Sequence, residues 1–401
     1  MPELDWEDFR PMHWPTERWE ATKKYSDGNI KKSPADLVVN GGEMAFPEPL
    51  HVGRPNVPDM RRVEDRLSMA LRRRELTNDG CNVRELEERL CAMTGMRHSV
   101  AVCNATMGLQ IAAKALGCGY DIVMPAYTFP ATATAMQWIG LPSVFADVKD
   151  YWLDPSRVQD AIDCSLTSAI LGVHPYGYPR YVPELTARAK SNGCSLFYDA
   201  AGSFGMEDEG GSVLRYGECS VVSLHATKVI NSGEGGFIAT NDDWLAKRMR
   251  SLRNFGFAGK EYSEGEGING KMSEVTAILA LAGLDIYPEV QKHNEAIFKA
   301  YKESLPILDD PALRKNNYHY VVTRVPADKR DGVIDILRSE GVLARKYYWP
   351  GVHKTQEQWA DIKLPETDKV ASEVIVLPTG QQMTVWDAEI VASIVNVALE
   401  I

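Results

Sequence analysis

Asp199 closes the apolar run Leu196-Phe197-Tyr198 and is followed by Ala200-Ala201-Gly202. Lys228 ends the stretch Ser223-Leu224-His225-Ala226-Thr227, shortly before Gly233-Glu234-Gly235-Gly236. A carboxylate at a strand end, followed by small residues, is placed to face the crevice above a sheet. A lysine at a neighbouring strand end can form an imine with an aldehyde, and a buried carboxylate can keep a pyridine nitrogen protonated. The pair therefore suits a pyridine aldehyde cofactor, whose ring acts as an electron sink for an amine-bearing carbon. Asn104-Ala105-Thr106 lies between an apolar run and a helical pattern, where backbone amides and the Thr106 hydroxyl make an anion seat. Phe129, in Pro125-Ala126-Tyr127-Thr128-Phe129-Pro130, could lie flat against such a ring. Each residue also has a plainer reading: Asp199 and Thr106 as caps, Lys228 as a solvated charge, Phe129 as packing. Their combination favours chemistry.

The elements that must position these residues alternate. Residues 83–94, 107–116, 131–138, 155–162 and 181–191 have helical character, and between them short apolar strands fall at 99–103, 122–124, 144–146, 169–173 and 196–198. Strands at 220–224 and 236–239 follow with little room for crossovers, then helices near 242–252 and 272–285. This alternation predicts a sheet covered by helices on both faces. The region 288–304 reads as a helix leading out of a large domain. Residues 318–325, 331–339, 342–346 and 384–398 read as a smaller α+β unit. The expected organisation is an N-terminal arm over 1–40, with a short helix around 16–24, a large domain over 41–285 and a small domain over 286–401.

The chain has 401 residues, 44% of them apolar and 25% charged, with a net charge of −11. That length buries a large core unaided, and the negative charge argues against a nucleic-acid groove. Seven cysteines with no CxxC pair read as free thiols, and eight scattered histidines with no HExxH offer little for a metal site. Gly205 to Gly217 is glycine-rich but fits neither a dinucleotide fingerprint nor a Walker loop. No apolar stretch reaches membrane-spanning length, and the acidic start Glu3, Asp5, Glu7, Asp8 resembles neither a signal peptide nor an anchor, so a cytoplasmic location is expected.

The motifs CNATMGLQIAAKALG (103–117), MPAYTFPATATAMQWIG (124–140), FYDAAGSFG (197–205), SLHATKVINSGEGGFIATND (223–242), LRNFG (252–256) and NGKMSE (269–274), in this order, strongly resemble the DegT/DnrJ/EryC1/StrS family of sugar-nucleotide aminotransferases. The resemblance covers about residues 40–400. It implies a fold type I pyridoxal-phosphate (PLP) enzyme, of the aspartate aminotransferase-like α/β class. Its large domain would hold a mostly parallel seven-stranded sheet, and its smaller C-terminal domain would be α+β. It also implies pyridoxal 5′-phosphate as cofactor, passing through pyridoxamine 5′-phosphate, with Lys228 as the Schiff-base lysine and Asp199 on the pyridine nitrogen. Phe129 would lie on the ring face, and Ala105, Thr106 and Ser223 would hold the phosphate. Asn269 or Lys271 would complete that phosphate site from the neighbouring subunit of a homodimer. Gly202 stands where the family usually has Gln or His near the phenolic oxygen; either a water or another side chain, with His174 or His225 nearby, fills the gap, or the glycine gives a bulky sugar more room.

Lys228 itself favours true transamination over the dehydration that relatives with histidine there perform. Together with GRPN (53–56) and LTNDG (76–80), the motifs resemble most closely 4-aminotransferases of TDP-4-keto-6-deoxy-D-glucose. The resemblance implies L-glutamate as donor and TDP-4-amino-4,6-dideoxy-D-glucose as product. Amination at C3 or of another keto sugar nucleotide, a PLP-dependent sugar dehydratase and a non-catalytic sensor are the alternatives. Candidate substrate contacts are Arg54, Asn78, His174, His225, Arg345, Lys346, Tyr347 and Tyr348, and no metal is expected.

Overall fold

The computed structural model describes residues 29–257, 259 and 262–401. The helix expected around 16–24 lies outside them. Seven short strands form the central sheet: β1 (His98–Val102), β2 (Asp121–Pro125), β3 (Ser143–Ala146), β4 (Thr167–Val173), β5 (Ser195–Asp199), β6 (Cys219–Ser223) and β7 (Gly236–Thr240). Their order is β1-β7-β6-β5-β4-β2-β3, and only β7 runs antiparallel to its neighbours. Continuous apolar runs such as Ile122-Val123-Met124 are buried on both faces, as strands between helical layers must be.

Helix α1 (Met60–Arg73) precedes the sheet, and α2 (Cys81–Thr94), α3 (Ala105–Ala115), α4 (Pro130–Trp138), α5 (Pro155–Asp163), α6 (Val182–Asn192) and α7 (Asp243–Leu252) cover it. Helix α2 is capped by a remote group. Glu274 accepts the amides of Asn82 and Val83 at 2.8 and 3.0 Å. Glu274 also forms, with Glu75 and Cys81, the one group among the described residues spaced to hold a metal ion. Its capping bonds explain that carboxylate without one.

The helices expected at 272–285 and 288–304 are one helix, α8 (Glu274–Ser304), with Pro288 inside it. Pro288 removes one backbone bond, yet the buried stripe continues on both sides through Leu284, Tyr287, Val290, Ile297 and Tyr301. Burial outweighs the lost bond. The first half of α8 completes a core with Phe204, Leu224 and Ile230, and its second half completes another with α9 (Ala327–Ser339) and α11 (Val385–Leu399). Between α9 and α11 lies α10 (Pro365–Glu373). Strand β8 (Val321–Arg324) pairs antiparallel with β9 (Val374–Leu377) beside that second core. Among the described residues no helix is long and apolar enough to cross a membrane.

Residues 30–50 run across this smaller unit. Leu37 is in its core, and Lys31 reaches Glu340 at 3.2 Å with both side chains almost fully buried. Glu340 also accepts the amides of Val38 and Ala45 at 2.7 and 2.9 Å. Glu340→Ala would leave a buried ammonium without its counter-charge and two amides without an acceptor. It is expected to lower stability by about 3–5 kcal/mol in urea unfolding.

Candidate active site

The carboxyl ends of β1, β2, β4, β5 and β6 lie along one edge of the sheet, where Ala201, Gly202, Ser223, Lys228 and His319 line a small crevice. Asp199, the last residue of β5, is flanked by Val173 of β4 and Val221 of β6. Its carboxylate is buried and accepts the Thr132 hydroxyl at 2.6 Å and the Ala201 amide at 3.2 Å. Burial pushes this acid above the usual carboxylate range, and the two donors and the nearby Lys228 charge draw it back only in part. Thr132 lies in the first turn of α4 and also bonds the Thr128 hydroxyl at 2.7 Å. That chain ties Asp199 to the loop carrying Phe129, a residue 56% exposed at the start of α4.

Lys228 sits on the loop after β6, fixed by the buried Val229 and Ile230 that follow it. Its Nζ donates to the Tyr320 hydroxyl at 2.7 Å and lies 5.3 Å from the centre of that ring. Burial pulls the lysine down, but Tyr320 and the Asp199 charge outweigh it and hold the ammonium above its ordinary range.

Across the sheet, Val102 of β1, Gly236 of β7 and Ser223 of β6 are in register. A Cβ on Gly236 would lie 2.8 Å from the Ala105 amide nitrogen, so the absence of a side chain there lets the start of α3 come down onto the strand ends. Asn104 caps α3 by accepting the Met107 amide at 2.8 Å. The Ala105 and Thr106 amides are the first-turn donors that no intrahelical bond uses, and Ser223 is close by. The site thus offers a fixed amine, a buried carboxylate with lone pairs to spare and anion donors at a helix start. This donor set fits pyridoxal 5′-phosphate.

The other expected residues divide. The Gly53–Asn56 turn that carries Arg54 lies against the lysine loop: a Cβ on Gly53 would sit 3.0 Å from Thr227, and Asn56 donates to the Val229 carbonyl at 3.2 Å. Tyr347 and Tyr348 belong to a tyrosine cluster at the crevice wall. The Tyr127 and Tyr176 hydroxyls are hydrogen-bonded to each other at 2.6 Å and both lie within hydrogen-bond distance of the Tyr347 carbonyl, and Tyr348 stacks on Tyr176 at 5.5 Å. Arg345 is exposed beside Tyr347. Asn78 is exposed in a left-handed turn next to Asp79, which binds Arg253 at 2.7 Å.

Three of the expected residues stand apart from Lys228 and Asp199 in this structure. His174 does not face the crevice. It stacks on Tyr198 at 4.4 Å, the neighbour of Asp199 that points to the opposite face of the sheet, and burial lowers it to about 3. His225 turns into its own loop, 2.8 Å from Thr227 and 3.6 Å from Glu234. Neither ring stands beside Gly202. Lys346 is paired with Asp331 at 2.6 Å, which takes its charge to the surface of α9. Lys271 bonds Asn254 at 2.8 Å and covers the Phe255 ring at 4.4 Å, while Asn269 pairs with Asn254. Two further residues join the site: Thr132, which lies inside the 124–140 motif but at no strand end or cap position, and Tyr320, which only the fold brings to Lys228.

Residues 59–396 match the DegT/DnrJ/EryC1/StrS aminotransferase family. A dTDP-4-amino-4,6-dideoxy-D-glucose transaminase from Shigella dysenteriae is 31% identical over 370 residues, 88% of this chain and 99% of that protein. One from Escherichia coli is 31% identical over 366 residues, 87% of this chain and 97% of that protein. The crystal structure of DesI in the presence of its TDP-sugar product is similar with a TM-score of 0.85 and 40% identity, covering 91% of this chain and 97% of that one.

Proposed function

Because the chain belongs to the DegT/DnrJ/EryC1/StrS aminotransferase family, we propose that it transfers the amino group of L-glutamate to the C4 ketone of TDP-4-keto-6-deoxy-D-glucose. The product is TDP-4-amino-4,6-dideoxy-D-glucose. The chain is a PLP-dependent aminotransferase; the choice of sugar is carried by its likeness, over nearly its whole length, to DesI with a TDP-sugar product.

When bound, pyridoxal 5′-phosphate supplies an aldehyde carbon for the lysine and a ring that takes up the electron pair of the broken C–H bond. Lys228 Nζ, fixed by its bond to the Tyr320 hydroxyl, would be the residue that holds the cofactor's aldehyde carbon. As a free amine the same nitrogen would carry the proton that leaves the donor's α carbon. Asp199 would accept the pyridine N–H and stabilise positive charge there, with Thr132 and Ala201 keeping its carboxylate oriented. The amides of Ala105 and Thr106 and the Ser223 hydroxyl would hold the phosphate, and Phe129 would pack against the ring. Arg54, Arg345, Tyr347 and Tyr348 contact the nucleotide sugar.

The working unit in this reading is a homodimer whose partner brings Asn269 or Lys271 to the phosphate. Exposed apolar residues support it: Phe255 and Ile268, joined by a 3.2 Å backbone bond, and Leu76 and Val275 beside the 3.0 Å bond between Leu76 and Glu274. Sedimentation should give twice the chain mass.

The direct test incubates the purified protein and pyridoxal 5′-phosphate with L-glutamate and a panel of 3-keto and 4-keto nucleotide sugars. Mass spectrometry should show an amine on the sugar and stoichiometric 2-oxoglutarate, and NMR should place that amine on C4. An amine at C3 would reject the substrate assigned here, and ammonia released with loss of a sugar hydroxyl would make the protein a dehydratase.

A further inference from the structure

Gly202 lies three residues after Asp199 and has no side chain to offer the site. The space beside it is taken from the other side of the crevice. A Cβ on Gly202 would lie 3.0 Å from Cε2 of Tyr320, so any side chain there would press on that ring. The approach is built rather than incidental. Asn317, almost fully buried, donates to the carbonyls of Gly202 and Phe204 at 2.8 and 2.9 Å and pins residues 316–320 to this segment. Asn316 and Asn317 then accept the amides of Tyr318 and His319 at 2.8 and 3.0 Å. They hold the turn in which Tyr318 has a φ of 52°, a conformation that non-glycine residues seldom adopt. That turn delivers Tyr320 at the head of β8, edge-on to Tyr176 at 5.6 Å, with its hydroxyl 2.7 Å from Lys228 Nζ.

We propose that Tyr320 is the positioning residue for the Lys228 nitrogen, and that Gly202 lacks a side chain so that this ring can reach it. The proposal rests on the reading of Lys228 as the lysine that bonds the cofactor. Tyr320 accepts an N–H from the ammonium, which favours the charged amine, and it fixes the direction of Nζ from the smaller unit. The two halves of the molecule thereby meet at the reacting nitrogen. His319, buried against Tyr320 and lowered to about 3, stays uncharged and does not compete for the hydroxyl as a cation.

The test adds pyridoxal 5′-phosphate to the cofactor-depleted full chain at a series of pH values and reads the visible absorption that forms with the lysine. The amine must be neutral to react. Tyr320→Phe keeps the ring and removes only the hydroxyl, so its half-formation point should move down by about one pH unit, with thermal stability unchanged. An unmoved or raised midpoint would overturn the positioning role. In the second arm, Gly202→Gln should weaken cofactor binding by about tenfold. Combining it with Tyr320→Leu should restore the affinity of Tyr320→Leu alone. A double variant as weak as Gly202→Gln would reject the exchange of space between the two positions. Wild-type protein that forms no such absorption would instead remove the cofactor reading itself, and this inference with it.

Discussion

Lys228→Ala is expected to eliminate the visible absorption of the bound cofactor and to lower transamination by about 10⁴-fold or more. Two roles disappear together: the amine that bonds the aldehyde and the base that carries the α-proton. The loop should survive, since the buried Val229 and Ile230 anchor it and the lysine itself is only partly buried. An unchanged unfolding midpoint would separate lost chemistry from lost structure. Single-turnover measurements with L-glutamate check the rate, and turnover within tenfold of the wild type would end the central role given to this residue.

Asp199→Asn tests the other half of the site. Asparagine is nearly the same size and can still accept the Thr132 hydroxyl through its amide oxygen, but it carries no charge to hold a pyridinium. The expected loss is about 10²–10³ in kcat, with weaker cofactor retention on dialysis. Stability should move the opposite way. Because burial raises the folded-state pKa of Asp199, the folded form keeps its proton to higher pH than the unfolded chain does. The stabilisation this gives is full below about pH 4 and is lost as pH rises through the raised value. At neutral pH the cofactor-free Asp199→Asn protein should therefore unfold at a higher temperature than the wild type, and the gap should narrow on acidification. A less stable variant at pH 7 would contradict the burial cost assigned to this carboxylate.

Much of this site could be read before any fold was available, because its residues sit at transitions that leave a mark in the chain. Asp199 ends an apolar strand, and Thr106 opens a helix behind a capping asparagine. Tyr320 and Thr132 leave no such mark. Tyr320 reaches Lys228 only because Asn317 clasps the backbone of Gly202 across 115 positions of chain, and Thr132 looks like any other threonine in a helical first turn. His174 misled for a related reason. It follows a strand end as Asp199 does, but alternation puts it on the face occupied by Tyr198. The sheet was legible because strands buried on both faces form continuous apolar runs. Helix α1 was not, since its long arginine-rich surface buries only Val63 and Ala70. The gap expected between helices ending at 285 and starting at 288 is closed by the packing along α8, which runs through Pro288.

That unbroken helix limits how the protein could have been assembled or could be dismantled. A cut at the natural-looking seam near residue 285 would sever a rod whose two ends plug different cores, leaving each fragment with an apolar gash. Neither piece would be an exchangeable module, and heat should melt them together as a single cooperative body.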